Sequence, residues 1–280
     1  MTIINQFYRL RCVTNLHVGS GETNYGVIDK LIERDNTSGF PCINSSGLKG
    51  AIKQKFNLQD SQLLIEVFGS DSTKNKQNQS EEEADRKNKN KRIGDSKQGK
   101  CSFLPAHLLA LPIRSDKVPF VLGTSKSIVD SYIQLRRDFG QEVDLIDLKN
   151  DHILKISDNI SDADLGQTGK RTSGTLDVEV TKRLKSLLST EHPIVVLGDQ
   201  TMIELCNDLN LPVIARNSLE DGQSKNLWYE QVLPRESIMF FPIIWDSLTL
   251  KEKFDLTAGT LQVGGSASVG YGFTKITEMI

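Results

Sequence analysis

The sequence predicts an α+β protein built around an antiparallel sheet. Short strand-like and helix-like stretches follow one another irregularly, whereas a doubly wound parallel sheet needs regular alternation of strands and helices. The glycine-rich stretch "GGSASVGYG" lacks the glycine spacing of a dinucleotide-binding loop, so no nucleotide-binding βαβ unit is indicated. We therefore expect most of the strands to pair antiparallel.

The first predicted elements are two strands and a helix. Residues 6–16, "QFYRLRCVTNL", alternate apolar and basic side chains, which is typical of a strand with one buried face. A glycine loop follows at residues 18–21, and residues 26–34, "GVIDKLIER", resemble a second strand that ends at the turn "DNTSG". A helix is then predicted with Ser45 or Ser46 as its N-cap, because apolar residues beyond them recur at helical spacing.

A polar insertion separates these elements from the rest of the chain. After a short helix predicted over residues 58–68, residues 69–100 contain almost nothing that could be buried, which predicts a disordered loop. Lysine and arginine dominate residues 84–100, so this part either contacts nucleic acid or is simply solvated. Otherwise we expect a single domain over residues 1–280.

The remaining elements are short. A helix is predicted over residues 125–139, and residues 140–175 are rich in loops. Further strands are expected over residues 101–115, 119–124, 175–180, 193–199, 212–216 and 237–245, and further helices over residues 181–189 and 201–209. A hairpin with the polar tip Asp221-Gly222 is expected over residues 218–234, and strand-like stretches flank the glycines within residues 259–276.

Composition excludes several classes of protein. Hydrophobic residues make up 38% and charged residues 25% of the 280, and no apolar run approaches the ~18 residues of a membrane span. The first residues do not resemble a secretion signal, so we expect a cytoplasmic protein without a membrane partner. The four cysteines form no C-x-x-C pair and are expected to be buried thiols. A net charge of −2 neither indicates nor excludes RNA binding, because a basic groove can lie on an acidic body.

Asp29 is the residue that most needs an explanation. It lies in a predicted strand between Ile28 and Leu31, although strand interiors disfavour aspartate and burial without a partner is costly. His17 lies at the other end of the same segment, close enough for the fold to bring the two side chains together. Phosphate-binding Walker, serine-hydrolase and zinc-protease motifs are absent from the sequence. A lone histidine at a strand end is more often structural, so from the residues alone Asp29 is the anomaly that is harder to explain.

Four stretches that together span nearly the whole chain carry a family resemblance. In order they are "LHVGSGETNYGVIDKLIERDNTSGFPCINSSGLKGAIKQ", "SFLPAHLLALPIRS", "LWYEQVLPRE" and "LQVGGSASVGYGF". Together they resemble the RAMP superfamily of CRISPR proteins, and more narrowly the repeated backbone subunit of type III-B (Cmr) effector complexes. The insertion at residues 69–100 matches poorly.

The resemblance implies an RRM-like, ferredoxin-type antiparallel palm with helical and loop insertions. It also implies that several copies stack into a filament along one CRISPR guide RNA, together with other subunits of the Cmr complex, and that the assembly cleaves complementary single-stranded target RNA at regular intervals. A protruding hairpin would insert into the guide–target duplex. Residues 165–175 and residues 218–228 are the two candidates for that hairpin.

The resemblance also implies roles for individual residues. Asp29 occupies the position of a family aspartate that supports metal-dependent cleavage, so it is the candidate ligand of a Mg²⁺ or Mn²⁺ ion. His17 matches a histidine on the same loop, and either Glu230 or Glu236 matches a family acidic residue. The candidate RNA-binding residues are Ser45, Ser46, Lys49, Arg114, Arg216, Gly264, Gly265, Gly270, Tyr271 and Gly272, with Lys49 in the first turn of its helix. Tyr271 either stacks on a base or packs against protein.

Four alternatives stay open on the sequence. The type III-A backbone subunit shares the histidine loop, the aspartate and the lysine helix. A stand-alone RAMP enzyme that processes precursor guide RNA would use His17 in acid–base catalysis rather than a metal. A purely structural RNA-coating module would use Asp29 only as a turn residue, and an unrelated α+β enzyme would act on a small molecule.

Overall fold

The computed structural model describes residues 3–21, 26–70, 97–148, 154–158, 160, 162–166, 168–220 and 223–280. Most of the predicted polar loop at residues 69–100 therefore lies outside the described residues. Its two ends meet, because the Ser70 backbone N–H donates to the Lys97 carbonyl at 2.9 Å and Lys100 pairs with Glu66 at 2.7 Å. The insertion thus leaves and rejoins the fold at one place.

Strands are numbered in chain order. They are β1 Ile4–Cys12, β2 Cys42–Ile43, β3 Ser102–Phe103, β4 Ala106–Ile113, β5 Val121–Ser125, β6 Lys155–Ile156, β7 Asp164–Leu165, β8 Lys170–Arg171, β9 Gly174–Thr175, β10 Ile194–Leu197, β11 Val213–Glu220, β12 Gln223–Gln231, β13 Ile238–Trp245, β14 Leu261–Gln262 and β15 Phe273–Met279. The helices are α1 Ser45–Lys55, α2 Ser61–Phe68, α3 Lys126–Asp138, α4 Val178–Leu188, α5 Asp199–Leu205 and α6 Leu248–Lys253.

One large sheet organises the described residues. Its strands follow the order β14-β15-β1-β13-β4-β5-β10-β6-β9, with β2 beside β4 and β3 beside β13. Every pair from β14 to β5 is antiparallel, and the parallel pairs β5–β10 and β6–β9 lie at the far end. The prediction of an α+β fold with an antiparallel palm is confirmed, and the parallel pairs at the far end were not predicted.

Alternation along β1 builds a core on both faces of the sheet. Phe7 points to α3, where its ring meets Tyr132 edge-on at 6.5 Å between centroids. Tyr8 points to the opposite face, stacks on Phe241 at 5.4 Å and accepts a hydrogen bond from the Trp245 indole at 3.1 Å. These side chains are at most 4% exposed, and burying each aromatic removes about 150–250 Å² from water. The palm is therefore a rigid support.

The four cysteines are buried free thiols, as predicted. Burial raises the pKa of Cys12 and of Cys206 to about 12, so both stay neutral. No helix in the described ranges has the length and apolar character needed to cross a membrane.

Two strand predictions are wrong. Residues 26–34 form isolated bridges at Lys30, Ile32 and Arg34 instead of a continuous strand. The strand predicted over residues 175–180 ends after Thr175, because the Asp177 carboxylate accepts the backbone N–H groups of the residues that follow it and caps α4. Helix capping by Asp177 thus outweighs the strand preference of the β-branched residues around it.

Candidate RNA-cleavage site

Asp29 lies on the surface, against the base of the β11–β12 hairpin. Its Oδ2 accepts a hydrogen bond of 2.7 Å from the Tyr229 backbone N–H. On either side, the Lys30 N–H donates to the Tyr229 carbonyl at 3.1 Å and the Gln231 N–H donates to the Lys30 carbonyl at 2.9 Å. The segment that carries Asp29 is thus docked along β12.

The expectation that Asp29 is buried among apolar neighbours is wrong. Its side chain is exposed, and Val27 beside it is 87% exposed. Ile28 and Ile32 face the core from the same segment. Since the segment forms only single bridges, it does not bury every side chain on one face as a ladder-paired strand would. Asp29 therefore needs no buried partner, and its carboxylate is accessible to a ligand.

Glu230 forms a buried charge cluster directly beneath Asp29. Its carboxylate is 2% exposed and accepts hydrogen bonds from Lys30 at 2.8 Å, Trp228 at 2.7 Å and Arg216 at 2.9 Å. Burial alone would raise its pKa, but these three donors outweigh it and bring the pKa of Glu230 to about 2. At neutral pH the residue is therefore an anion that ties the Asp29 segment to both strands of the hairpin.

Arg216 extends this cluster to the glycine-rich loop at residues 264–272. Its guanidinium lies over the Trp228 ring and over the Tyr271 ring, 5.6 Å from each centroid. It also donates to the Ser266 hydroxyl at 2.7 Å. Both rings are half-buried, so each keeps part of its surface accessible. A layer of cation and aromatic groups next to a carboxylate is a surface suited to stacked bases and phosphates.

His17 lies under the loop that contains Gly19. It is 7% exposed, and its Nδ1–H donates to the carbonyl oxygen of Gln231 at 2.7 Å, because a carbonyl only accepts. This fixes the ring with Nε2 directed at Gly19, where an added Cβ would lie 3.2 Å away. His17 and Asp29 are therefore held by two residues of β12, Gln231 and Tyr229 respectively. A catalytic role for His17 stays a prediction.

The glycine-rich loop closes over the His17 segment. The Gly265 N–H donates to the His17 carbonyl at 3.0 Å, and the Gly272 N–H donates to the Asn15 carbonyl at 2.8 Å. Gly264 and Gly272 have φ of 79° and 80°, and a Cβ on either would overlap a backbone carbonyl oxygen. Positions 264 and 272 require glycine because the protein backbone approaches each of them closely, whereas Gly265 has open space around it.

The lysine helix is a separate part of the surface. Helix α1 begins at Ser45, so its N-cap is Asn44 rather than a serine, and Lys49 lies at the start of the second turn instead of in the first turn as predicted. Ser46 is exposed and Lys49 is half-buried. The helix packs against β14, the strand that leads into the glycine-rich loop. Within the described residues no hydrogen bond or ion pair joins Lys49 to Asp29.

Arg114 and Glu236 lie together away from Asp29. Both line a groove of about 520 Å³ next to the point where the hairpin joins the palm. The Glu236 carboxylate is held by Arg11 at 3.0 Å. Of the two glutamates considered from the sequence, Glu230 is thus the one beside Asp29.

The donor set for a divalent cation is small. No group of three or more histidine, cysteine, aspartate or glutamate side chains gathers in the part of the chain that the structure describes. Glu230 is already bound by cations on both oxygens, which leaves the carboxylate of Asp29. Mg²⁺ is commonly bound by one or two carboxylates together with substrate phosphates and water. The site therefore fits such an ion only where RNA and water supply the other oxygens.

Sequence reasoning missed the residues that hold this site together. Lys30, Trp228 and Gln231 were not candidates, although Trp228 and Gln231 stand in the family-like stretch "LWYEQVLPRE". A signal was present, since adjacent Glu230 and Gln231 lead directly into the apolar "VLP". Polar residues that enter an apolar run require partners.

The chain matches the model of the RAMP superfamily over residues 9–275. It is 25% identical, over an alignment 303 positions long including gaps, to the CRISPR system Cmr endoribonuclease Cmr4 of Pyrococcus furiosus, covering 96% of this chain and 93% of that protein. A chain of a type III-B Cmr-beta complex bound to cognate target RNA has a similar fold, with TM-score 0.75, 20% identity and coverage of 98% and 97%. Oligomeric Cmr4 from Pyrococcus furiosus gives TM-score 0.69 at 16% identity, with 99% of both chains covered. The chain belongs to the RAMP superfamily.

Proposed function

We propose that this protein is the repeated backbone subunit of a type III-B CRISPR effector complex, which binds guide RNA and cleaves complementary target RNA. The observation that carries the proposal is the Asp29 carboxylate, exposed and docked by a 2.7 Å hydrogen bond on the base of a projecting hairpin. The similarity of the chain, over 96% of its length, to a named Cmr endoribonuclease supports the same conclusion.

The β11–β12 hairpin is the best candidate for the element that enters the duplex. It forms its own two-stranded sheet, and the side chains from Gln223 to Leu227 are exposed. The alternative hairpin, β7–β8, has two residues in each strand and is tied back to the palm through a bridge from Leu165 to Ser115. Of the two candidates, the one containing residues 218–228 is thus the longer and carries the Asp29 contact.

In the proposed reaction the 2′-hydroxyl of the target RNA attacks the adjacent phosphorus. The O2′–P bond forms and the P–O5′ bond breaks, the O2′ proton leaves to water, and the 5′-oxygen takes up a proton. Bound Mg²⁺ or Mn²⁺ would stabilise negative charge at the reacting phosphate. Asp29 would hold the ion, and Tyr229 and Glu230 would hold Asp29 and its segment against the hairpin.

The main alternative is a non-catalytic RNA-coating scaffold. It is favoured by the small donor set, since Asp29 is the single carboxylate of the cluster that no cation already binds. The processing enzyme that would use His17 is less consistent with the geometry, because the ring is 7% exposed and lies beneath the loop. Cleavage assays distinguish the backbone nuclease from the non-catalytic scaffold.

The test is cleavage of guide-complementary RNA by the reconstituted complex with Mg²⁺ or Mn²⁺, and with EDTA. Asp29→Asn keeps an oxygen for the Tyr229 N–H and removes the charge, so it should abolish cutting and preserve assembly and guide binding. The matched control is Asp60→Asn, another exposed aspartate that accepts a backbone N–H, at the N-cap of α2. Regular cuts that persist in Asp29→Asn would establish the scaffold instead.

A further inference from the structure

The groove that contains Arg114 and Glu236 has a chemistry of its own. Its apolar lining consists of four proline rings and one phenylalanine ring, which are Pro112, Pro119, Phe120, Pro212 and Pro234. Its volume of about 520 Å³ lies within the ~300–1,000 Å³ typical of small-ligand sites. We call it the proline groove.

Cations predominate at its rim. Arg114 and Arg235 both line the groove and are exposed. Its one acidic lining residue, Glu236, is neutralised by Arg11, whose Nη1 lies 3.0 Å from both carboxylate oxygens. The groove therefore places apolar rings beside two exposed arginines.

Phe120 adds an aromatic surface at one end of the groove. Its ring centroid lies 4.5 Å from that of His192, and both side chains reach the solvent. Flat apolar walls together with arginines suit a ligand that joins an aromatic ring to a phosphate, which is the chemistry of a nucleotide.

The proline groove is continuous with the proposed RNA surface. The hairpin leaves the palm just after Pro212 and returns at Val232, whose N–H donates to the Pro212 carbonyl at 2.9 Å. On the other side, the Arg235 N–H donates to the Asn15 side chain at 3.0 Å, and the Asn15 carbonyl accepts the Gly272 N–H at 2.8 Å. The glycine-rich loop and Arg235 are thus joined through the single residue Asn15.

From this geometry we propose that the proline groove is a subsite for one nucleotide of the guide RNA. The base lies against Phe120 and the prolines, and Arg235 and Arg114 bind the flanking phosphates. The proposal rests on the proposed function, and the guide strand is chosen because the adjoining glycine-rich loop is the predicted guide-binding segment. A peptide partner is the other occupant that proline and aromatic walls would suit.

The test uses the reconstituted complex and a guide RNA with 4-thiouridine at single positions. We expect a crosslink to the peptide that contains Phe120 or to the one that contains Arg235. Arg235→Glu should weaken guide binding by about tenfold and increase its salt dependence, and Phe120→Ala should remove the crosslink. The matched control is Arg137→Glu, the reversal of an exposed arginine on α3 that does not line the groove, and it should bind guide RNA normally.

The outcomes are distinguishable. Normal guide binding by Arg235→Glu with no crosslink in the wild type would overturn the groove proposal and leave the proposed function intact. In a second experiment the 4-thiouridine is placed in the target RNA, and a crosslink of the groove to that strand alone would overturn the groove proposal. Binding of a proline-rich peptide together with normal guide binding in both groove variants would overturn it as well. A wild-type complex that bound no guide RNA would overturn the proposed function and the groove subsite together.

Discussion

The backbone N–H of Tyr229 points at Asp29 and holds its carboxylate at 2.7 Å, so the projecting hairpin and the candidate catalytic group form one unit. A backbone donor does not depend on the side chain at position 229. The carboxylate therefore follows the position of β12, and any displacement of the hairpin would move Asp29 with it. The residues that fix the hairpin base become testable determinants of cleavage.

Glu230→Gln should destabilise the fold and reduce cleavage. The amide replaces an anion that accepts three hydrogen bonds, leaving Lys30 and Arg216 without their counter-charge. We expect the free energy of unfolding to fall by about 2 kcal/mol, less than the ~3–5 kcal/mol of a fully buried ion pair because Lys30 is half exposed. Unfolding in urea measures this change in the free energy of unfolding. Glu278→Gln, which breaks an exposed pair with Lys251, is the control and should cost less than about 0.5 kcal/mol.

Acid should remove the contribution of the Glu230 carboxylate to the stability of the fold in a defined pH range. The carboxyl titrates near 4.5 in an unstructured chain, and its folded-state pKa is about 2. Because the folded-state pKa is lower, the contribution is complete above about pH 4.5 and falls as the pH drops towards about 2. The difference in melting temperature between wild type and Glu230→Gln should therefore shrink below about pH 4.5. A difference that stays constant to about pH 2.5 would contradict this assignment.

Gln231→Leu tests the junction that holds both candidate catalytic segments. The Gln231 side chain is fully buried, accepts the Ile32 N–H at 3.2 Å and donates to the Asp208 carbonyl at 2.9 Å. Leucine would leave both backbone groups unpaired, at a cost of about 2 kcal/mol. We expect slower cleavage with guide binding retained.

The control for Gln231→Leu is Ser237→Ala. Ser237 is equally buried, and its hydroxyl has no hydrogen-bond partner within the described ranges. Removing it should leave stability and cleavage nearly unchanged. Equal losses in the two variants would mean that any change to a buried polar residue near the hairpin base slows cleavage, and that Gln231 has no particular role.

Secondary-structure elements with a long apolar periodicity were predictable from the sequence. Segments held by single bridges or single buried residues were not. Helix α3 buries one face at a helical period, so its existence was predictable. Strand β1 was predicted from its alternation, but the prediction of a single buried face was wrong, because the consecutive residues Phe7 and Tyr8 are buried on the two sides of the sheet. Helix α6 was missed because its six residues bury only Leu250 and therefore show no period. The position of Asp29 followed from the family motif, but its exposure did not, because the bridge between Lys30 and Glu230 joins residues that are distant in the sequence.

Alanine substitutions in the glycine-rich loop can distinguish glycines required by the fold from a glycine required for RNA binding. Gly264→Ala and Gly272→Ala should each cost about 2 kcal/mol, because both residues have positive φ and their Cβ atoms would overlap the carbonyl oxygens of His17 and Val263. Gly265→Ala meets nothing within 4 Å and should leave the melting temperature unchanged. If the RNA backbone lies against Gly265, the added methyl group will weaken guide binding in a gel-shift assay without loss of stability. Normal guide binding by Gly265→Ala would instead mean that the RNA backbone does not lie against Gly265, and that the requirement for glycine at positions 264 and 272 is one of protein packing.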